Sequence, residues 1–173
     1  MKISRNRVIY IAFAAIFAAG LLFVAMLSFS NAATDTSAAA AEAKWGTDYK
    51  ASLAQAKREG KFVLADFSGS DWCGWCKKLD KEVFSKKQFV KWAGENVVLL
   101  VVDFPRATPQ DATVAAQNKE LLEKYKVTGF PTVLFLDGEG KIVAQAGYMA
   151  GGAKAWIAAV EKSLPKRAAP KVE

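Results

Sequence analysis

The chain has 173 residues, 24 of them Lys or Arg and 17 Asp or Glu, with two cysteines and no histidine. The lack of histidine excludes a Cys/His zinc site, a c-type haem attachment sequence and any Ser–His or Cys–His catalytic pair. Lys2, Arg5 and Arg7 precede all acidic residues, which leaves 21 basic and 17 acidic residues in the rest of the chain. This charge of +4 is too small and too dispersed to indicate a nucleic-acid-binding protein.

The N-terminal 32 residues have the pattern of an export segment. After the three basic residues, residues 8–27 contain no charge, and Ser30-Asn31-Ala32 has small residues where a signal peptidase cleaves. About 20 apolar residues can also span a bilayer. We therefore expect residues 1–32 to be a signal peptide or an N-terminal membrane anchor formed by residues 8–27. Either reading sends the rest of the chain to the periplasm or otherwise out of the cytoplasm.

The remainder divides by composition into a linker, a domain and a tail. Residues 33–44 are rich in Ala, Ser and Thr and are predicted to be a flexible linker. Residues 165–173 form a charged tail that contains proline. Residues 45–164 lie between them, and about 120 residues are enough for one domain with a single core.

The domain is predicted to begin with a helix and a buried strand. Thr47 or Asp48 can cap the helix, and Gly60 is suited to end it. The apolar run at residues 62–67 is typical of a strand buried on both faces. It contains Asp66, and a buried carboxylate is costly unless it has a task or a partner. Asp66 is thus a candidate functional residue, the alternative being an exposed Asp at the strand end.

The two cysteines follow in Trp72-Cys73-Gly74-Trp75-Cys76. A position just before a helix brings Cys73 close to unpaired backbone N–H groups and the helix dipole, which favour the reactive thiolate. With zinc and haem excluded, the pair can perform thiol–disulfide exchange, hold a thiophilic ion such as Cu(I), or form a structural bridge. A disulfide across so short a loop removes little unfolded-state entropy, which argues against the bridge.

Further helices and a second strand follow the cysteines. One helix includes residues 77–83. Ser85 is predicted to cap another over residues 86–93, which Gly94 would end. The Val/Leu run at residues 97–102 predicts a second buried strand.

The C-terminal half is predicted to contain a helix capped by Asp111, a hairpin and a last amphipathic helix. The first helix covers residues 112–126, the two hairpin strands cover 132–136 and 141–146, and the last helix covers 153–164. The turn between the hairpin strands contains two glycines, which suit positive φ. Alternating helices and strands followed by a hairpin imply an α/β fold. Its central mixed β-sheet would carry helices on both faces.

Motifs and element order together resemble the thioredoxin family. Trp72-Cys73-Gly74-Trp75-Cys76-Lys77 lies where that family has its redox motif, and Gly129-Phe130-Pro131-Thr132 where it has its cis-proline loop. With Lys81-Glu82-Val83-Phe84 and Asp103-Phe104-Pro105-Arg106, the pattern is similar to exported bacterial thioredoxin-like proteins and to the C-terminal domain of membrane disulfide-reductase transporters. The resemblance spans residues 45–164 and implies the thioredoxin fold.

The resemblance also implies catalytic roles. Cys73 would be the nucleophile and the more exposed sulfur, and Cys76, one turn into the helix, would resolve the mixed disulfide. Asp66 would accept and return the proton of Cys76. Six residues separate Asp66 from Cys73, one more than in typical thioredoxins, and the extra residue lies in Ser68-Gly69-Ser70.

Four further residues are predicted to bind substrate. A cis bond before Pro131 would leave a backbone edge free for a substrate strand. Phe130 would lie at the rim of the site, core packing being its alternative role. Trp72 matches the family's usual Trp, whereas Trp75 replaces the usual Pro. Because Trp75 cannot stabilise a thiolate as a charged His could, it favours a reductase over a strong oxidant.

These residues predict a thiol–disulfide oxidoreductase of the cell envelope that reduces protein disulfides through Cys73 and Cys76. The alternatives are a non-enzymatic Cu(I)-binding or redox-partner module, and a thioredoxin-fold interaction module with incidental cysteines. The expected partners are disulfide-bearing proteins and an electron-donor protein, with a membrane tether if residues 8–27 are retained. We expect a monomer without cofactor, metal or nucleic acid.

Overall fold

A four-stranded sheet lies at the centre of residues 43–166, the part of the chain that the computed structural model describes. The predicted export segment, most of the predicted linker and most of the tail lie outside these residues. The strands are β1 (Phe62–Ser68), β2 (Val97–Asp103), β3 (Thr132–Leu136) and β4 (Ile142–Ala146). The helices are α1 (Tyr49–Glu59), α2 (Gly74–Leu79), α3 (Lys87–Asn96), α4 (Ala112–Lys124) and α5 (Gly152–Ser163). Within residues 43–166, none of the helices has the length and apolar character needed to cross a bilayer.

The sheet is mixed, with the strand order β2-β1-β3-β4. Strand β1 pairs in parallel with β2 and antiparallel with β3, and β4 pairs antiparallel with β3. All seven residues of β1 are buried because helices cover both faces. Leu121 of α4 packs on one face, and Phe89 of α3 and Trp156 of α5 pack on the other. The predicted α/β fold with helices on both faces is confirmed.

Aromatic side chains dominate the core on the face that carries α3 and α5. Trp156 is fully buried. Its ring centroid lies 5.7 Å from that of Phe84 and 5.9 Å from that of Phe89. Its indole N–H donates to the Gly147 carbonyl at 3.0 Å. Trp156 therefore fixes the loop between β4 and α5 to the core.

Most predicted helix ends are confirmed. The Asp48 carboxylate accepts the Ala51 N–H at the start of α1, and Gly60 ends that helix with a φ of 62°. The Asp111 carboxylate accepts the N–H groups of Thr113 and Val114 at the start of α4.

The predicted boundaries around α3 are wrong. A π-helical segment, Asp80–Phe84, continues α2, and the Ser85 hydroxyl donates back to the Lys81 carbonyl at 3.1 Å, so Ser85 does not cap α3. Gly94 lies inside α3, which continues to Asn96. In the hairpin turn only Gly140 has positive φ, at 79°. For α3, burial of Phe89, Trp92 and Ala93 outweighs the local preferences of Ser85 and Gly94.

Candidate active site

The two cysteines form a disulfide where β1 leads into α2. Cys73 is the N-cap residue of α2, and its Sγ accepts the Cys76 N–H at 3.2 Å. The Cα atoms of Cys73 and Cys76 are 5.3 Å apart. The sulfur of Cys73 therefore lies against a helical N–H group, as predicted, and the same N–H can stabilise its thiolate once the disulfide is reduced.

The expected greater exposure of Cys73 is not seen for the whole residues. Cys73 is 6% exposed and Cys76 is 5% exposed, so Cys73 is not the distinctly more accessible residue in the disulfide form. The S–S bond draws the side chain of Cys73 against Cys76, which lies inside α2. Burial in this state thus does not distinguish the nucleophile, and position at the helix start does.

Gly69 shapes the turn that precedes the cysteines. Its carbonyl accepts the N–H groups of Trp72 at 3.2 Å and Cys73 at 2.8 Å. A Cβ at Gly69 would collide with the indole ring of Trp72. The turn therefore requires glycine for this close approach, and sequence analysis did not single out Gly69.

Two aspartates attach this turn to the end of β2 and to the loop that follows it. The Asp103 carboxylate accepts the Ser70 N–H at 2.8 Å and also the Ser70 hydroxyl. The Asp71 carboxylate accepts three consecutive N–H groups, those of residues 106–108, at 2.7–3.1 Å. The first two of these hydrogen bonds are the main reason that the pKa of Asp71 lies below its usual value. The segment that holds the extra residue is thereby fixed beside the cysteines.

The structure brings three of the predicted substrate-binding residues together. The Phe130–Pro131 peptide bond is cis. The ring of Phe130 lies edge-to-face against that of Trp72, with centroids 5.7 Å apart, and 5.3 Å from that of Phe104. Phe130 also packs against the core on the α4 face, so both of its predicted roles are compatible with its position.

The fourth residue, Trp75, lies on a different side of the turn. Its ring is 57% exposed and packs on Tyr148, with centroids 5.1 Å apart. The Trp72 indole N–H instead donates to the Phe104 carbonyl at 2.8 Å. Trp72 thus contacts the loop after β2, and Trp75 contacts the loop after β4.

Asp66 is buried near the end of β1. It is 8% exposed, and its Oδ1 has no hydrogen-bond partner among the described residues. Asp66, Cys76, Lys77 and Asp80 all line one cavity of about 250 Å³. The alternative of an exposed strand-end aspartate is therefore wrong, and the extra residue does not separate Asp66 from the cavity beside Cys76.

Burial also sets the protonation of Asp66. Loss of solvation raises its pKa to about 7, and the negative charges of Asp80 and Asp103 act in the same direction. A carboxyl group with such a pKa can both accept and release a proton near neutral pH. The arrangement combines an exchangeable sulfur pair with a proton acceptor in the adjoining cavity.

Comparisons with known proteins agree with this geometry. A family model described as a thioredoxin-like domain matches residues 49–162. The disulfide bond reductase DsbH of Chlamydia pneumoniae is 37% identical over 129 residues, which cover 75% of this chain and 77% of that protein. A solved structure of a DsbH oxidoreductase has a TM-score of 0.70 at 36% identity, covering 73% of this chain and 88% of the other.

A second curated relative is much longer than this chain. The thiol:disulfide interchange protein DsbD of Vibrio cholerae serotype O1 is 37% identical over 107 residues, which cover 60% of this chain and 16% of that protein. The likeness to DsbD thus concerns one part of a larger protein.

Proposed function

The chain belongs to the thioredoxin-like family, and from this premise we propose that it is a thiol–disulfide oxidoreductase of the cell envelope that reduces protein disulfides. The observation that carries the proposal is the Cys73–Cys76 disulfide at the start of α2, with Asp66 in the adjoining cavity. The Chlamydia pneumoniae relative whose match covers 75% of this chain is named as a disulfide bond reductase, which supports the same direction of electron flow.

The proposed reaction begins with both cysteines reduced. The Cys73 thiolate attacks one sulfur of the substrate disulfide, forming a mixed disulfide and releasing the first substrate thiolate. The Cys76 thiolate then attacks the Sγ of Cys73 and releases the second substrate thiolate. Two electrons pass to the substrate, whose disulfide breaks as the Cys73–Cys76 disulfide forms. The structure has the geometry of this oxidised product.

Asp66 supports the second step of this reaction. Cys76 must lose its thiol proton before it can attack, and Asp66 lines the same cavity as Cys76. With its pKa raised to about 7, the Asp66 carboxylate can take that proton near neutral pH and return it to solvent through the cavity. Asp66 would therefore act in resolution of the mixed disulfide and not in the first attack.

The substrate would reach the cysteines beside the cis-proline loop. Pro131 and Phe130 lie next to Trp72, which directly precedes Cys73. An extended substrate segment can pair with the backbone there, as strands do when they add to a sheet edge.

Location and partners follow from the export pattern of residues 1–32. We propose that the domain acts outside the cytoplasm, on exported proteins that contain disulfides, and is itself reduced by an electron-donor protein. Disulfides persist in such compartments, so a reductase has substrates there. A monomer is sufficient for this chemistry because both sulfurs and Asp66 come from one chain.

Reduction of insulin tests the proposal. With dithiothreitol as the electron source, we expect the wild-type domain to accelerate precipitation of the insulin B chain by about tenfold or more over dithiothreitol alone. The double variant Cys73→Ser/Cys76→Ser, which keeps the size of both side chains, should give no acceleration. An equally active double variant would contradict the proposal, as would tight Cu(I) binding by a wild-type protein with negligible disulfide turnover.

A further inference from the structure

Apolar surface is exposed beside the disulfide. Trp75, which directly precedes Cys76, is 57% exposed, and Met149, next to Tyr148 in the chain, is 38% exposed. We call this surface the redox face and define it by six residues: Trp72, Trp75, Lys78, Arg106, Tyr148 and Met149. Exposed apolar side chains next to a reactive group are typical of a surface that a partner covers.

Each tryptophan of the redox face carries a cation. The Lys78 ammonium lies 5.2 Å from the ring centroid of Trp75 and 5.0 Å from that of Tyr148. The Arg106 guanidinium lies 3.8 Å from the ring centroid of Trp72. The two rings that hold these cations belong to residues on either side of the nucleophile in the chain, Trp72 directly before Cys73 and Trp75 two positions after it. Stacking on a ring holds a cation in place while it can still donate hydrogen bonds to another group.

Two salt bridges of the described residues, Lys57–Glu139 and Lys61–Glu59, involve neither Lys78 nor Arg106. The charge of Glu82 acts on Lys78. The neighbouring carboxylates accept from neutral donors: Asp71 from backbone N–H groups, and Glu82 from the Tyr148 hydroxyl at 2.8 Å.

The ionisation of Lys78 agrees with this geometry. Its hydrogen bond with Tyr148, the attraction of that hydroxyl and the charge of Glu82 raise the pKa of Lys78, so its ammonium stays charged in the pH range where thiolates react. The redox face therefore combines exposed apolar side chains with two positive charges, each held on the ring of a tryptophan.

We propose that the redox face selects protein segments that carry carboxylates on both sides of the attacked half-cystine, an inference that rests on the proposed function. Carboxylates at these places would pair with Lys78 and Arg106, while apolar side chains of the same segment would cover Trp75 and Met149. The apolar centre is the reason to assign a protein segment, since a small anionic disulfide would leave these side chains exposed. Complementary charge of this kind raises the association rate and orders the encounter.

Three peptide disulfides with one common sequence test this inference. They differ only in the two residues that flank the half-cystine, which are both Asp, both Asn or both Lys. Rates of oxidation of the reduced protein are measured in single turnovers, where the protein supplies both electrons. For the wild type we expect the Asp peptide to react about tenfold faster than the Lys peptide at low salt. The ratio should fall to about twofold in 0.5 M salt because the charges are exposed.

Charge reversal identifies the residues responsible. In Lys78→Glu/Arg106→Glu the ratio should fall below one, and comparing peptides within each variant cancels any general loss of rate. Lys87→Glu/Lys91→Glu makes the same charge change at two exposed sites on α3, outside the redox face, and should keep the wild-type ratio.

Three results would overturn the inference. In the first, the wild type reacts with the Asp and Lys peptides at equal rates. In the second, the ratio of these two rates is unchanged in Lys78→Glu/Arg106→Glu. In the third, reduction of glutathione disulfide depends on the charges of the redox face while the rates of the three peptides do not differ. These results leave the proposed function intact. Reduction of none of the three peptides, the neutral Asn peptide included, would instead overturn the proposed function and the inference together.

Discussion

Replacing Cys76 with serine is expected to convert the protein into a stable covalent adduct of its substrates, whereas replacing Cys73 with serine should abolish substrate reduction. In Cys76→Ser the Cys73 thiolate can still attack, but no second thiolate is present to release the substrate. In Cys73→Ser the sulfur at the start of α2 is missing, and insulin reduction should fall to the background of the reductant alone. Non-reducing electrophoresis and mass spectrometry of the alkylated mixtures distinguish the two outcomes.

Both single variants are needed because the two cysteines are buried to almost the same extent in the disulfide form. Accessibility in this state does not assign the nucleophile, so the assignment rests on the helical N–H group at the Sγ of Cys73. The matched control is Cys73→Ser/Cys76→Ser, which should form no adduct. Adducts formed by Cys73→Ser at the rate of Cys76→Ser would contradict the assignment and make Cys76 able to attack first.

The oxidised protein is expected to lose stability between pH 5 and pH 8 because of Asp66. Its pKa is about 7 in the folded protein and near 3.8 when unfolded, so folding favours the protonated form. The favourable contribution is complete below the unfolded pKa and is lost as pH rises towards the folded pKa, with a slope of about 1.4 kcal/mol per pH unit. The free energy of unfolding should therefore fall by about 3 kcal/mol between pH 5 and pH 8. The chain has no histidine to add a titration in this window.

Asp66→Asn should remove most of this fall in the free energy of unfolding. Urea unfolding of the oxidised protein at several pH values measures it. Asp80→Asn provides the matched control, because Asp80 is exposed and lines the same cavity. Its negative charge helps to raise the pKa of Asp66, so in the control the fall should persist but be smaller and end at lower pH. An unchanged fall in Asp66→Asn would show that other groups cause it.

The same variant tests the proposed role of Asp66 in catalysis. Without the carboxylate, Cys76 loses its proton to water alone, so resolution of the mixed disulfide near pH 7 should slow by about a hundredfold. Formation of the mixed disulfide should be much less affected, since Asp66 takes the proton of Cys76 and not that of Cys73. Equal slowing of both steps would indicate a general disturbance of the site.

The order of helices and strands could be predicted from the sequence because burial on both faces leaves continuous apolar runs in β1 and β2. The ends of α3 could not. Ser85 and Gly94 have the local character of a cap and a terminator, but the π-helical segment and the packing of α3 decide otherwise. Local preference is a weak guide where tertiary contacts compete.

The cysteine pair and the cis-proline loop were likewise visible in the sequence, because each is a short motif. The anchoring of the turn was not, because Asp71 and Asp103 bind groups more than 30 residues away in the chain. The position of Arg106 was missed for the same reason, because it stacks on Trp72 from the loop that Asp71 holds. Asp66 could be suspected from its apolar surroundings, but its place in the cavity beside Cys76 needed the structure.

The reduction potential of the Cys73–Cys76 pair tests the central claim most directly. It is measured by equilibrating the protein with redox buffers of dithiothreitol or glutathione and quantifying the alkylated fraction. A protein-disulfide reductase with the uncharged Trp75 between its cysteines should have a potential near that of thioredoxin, about −270 mV, and below that of protein disulfide isomerase, about −180 mV. A potential near −120 mV, that of the strong oxidant DsbA, would contradict the account, because such a pair would take electrons from its partners instead of supplying them.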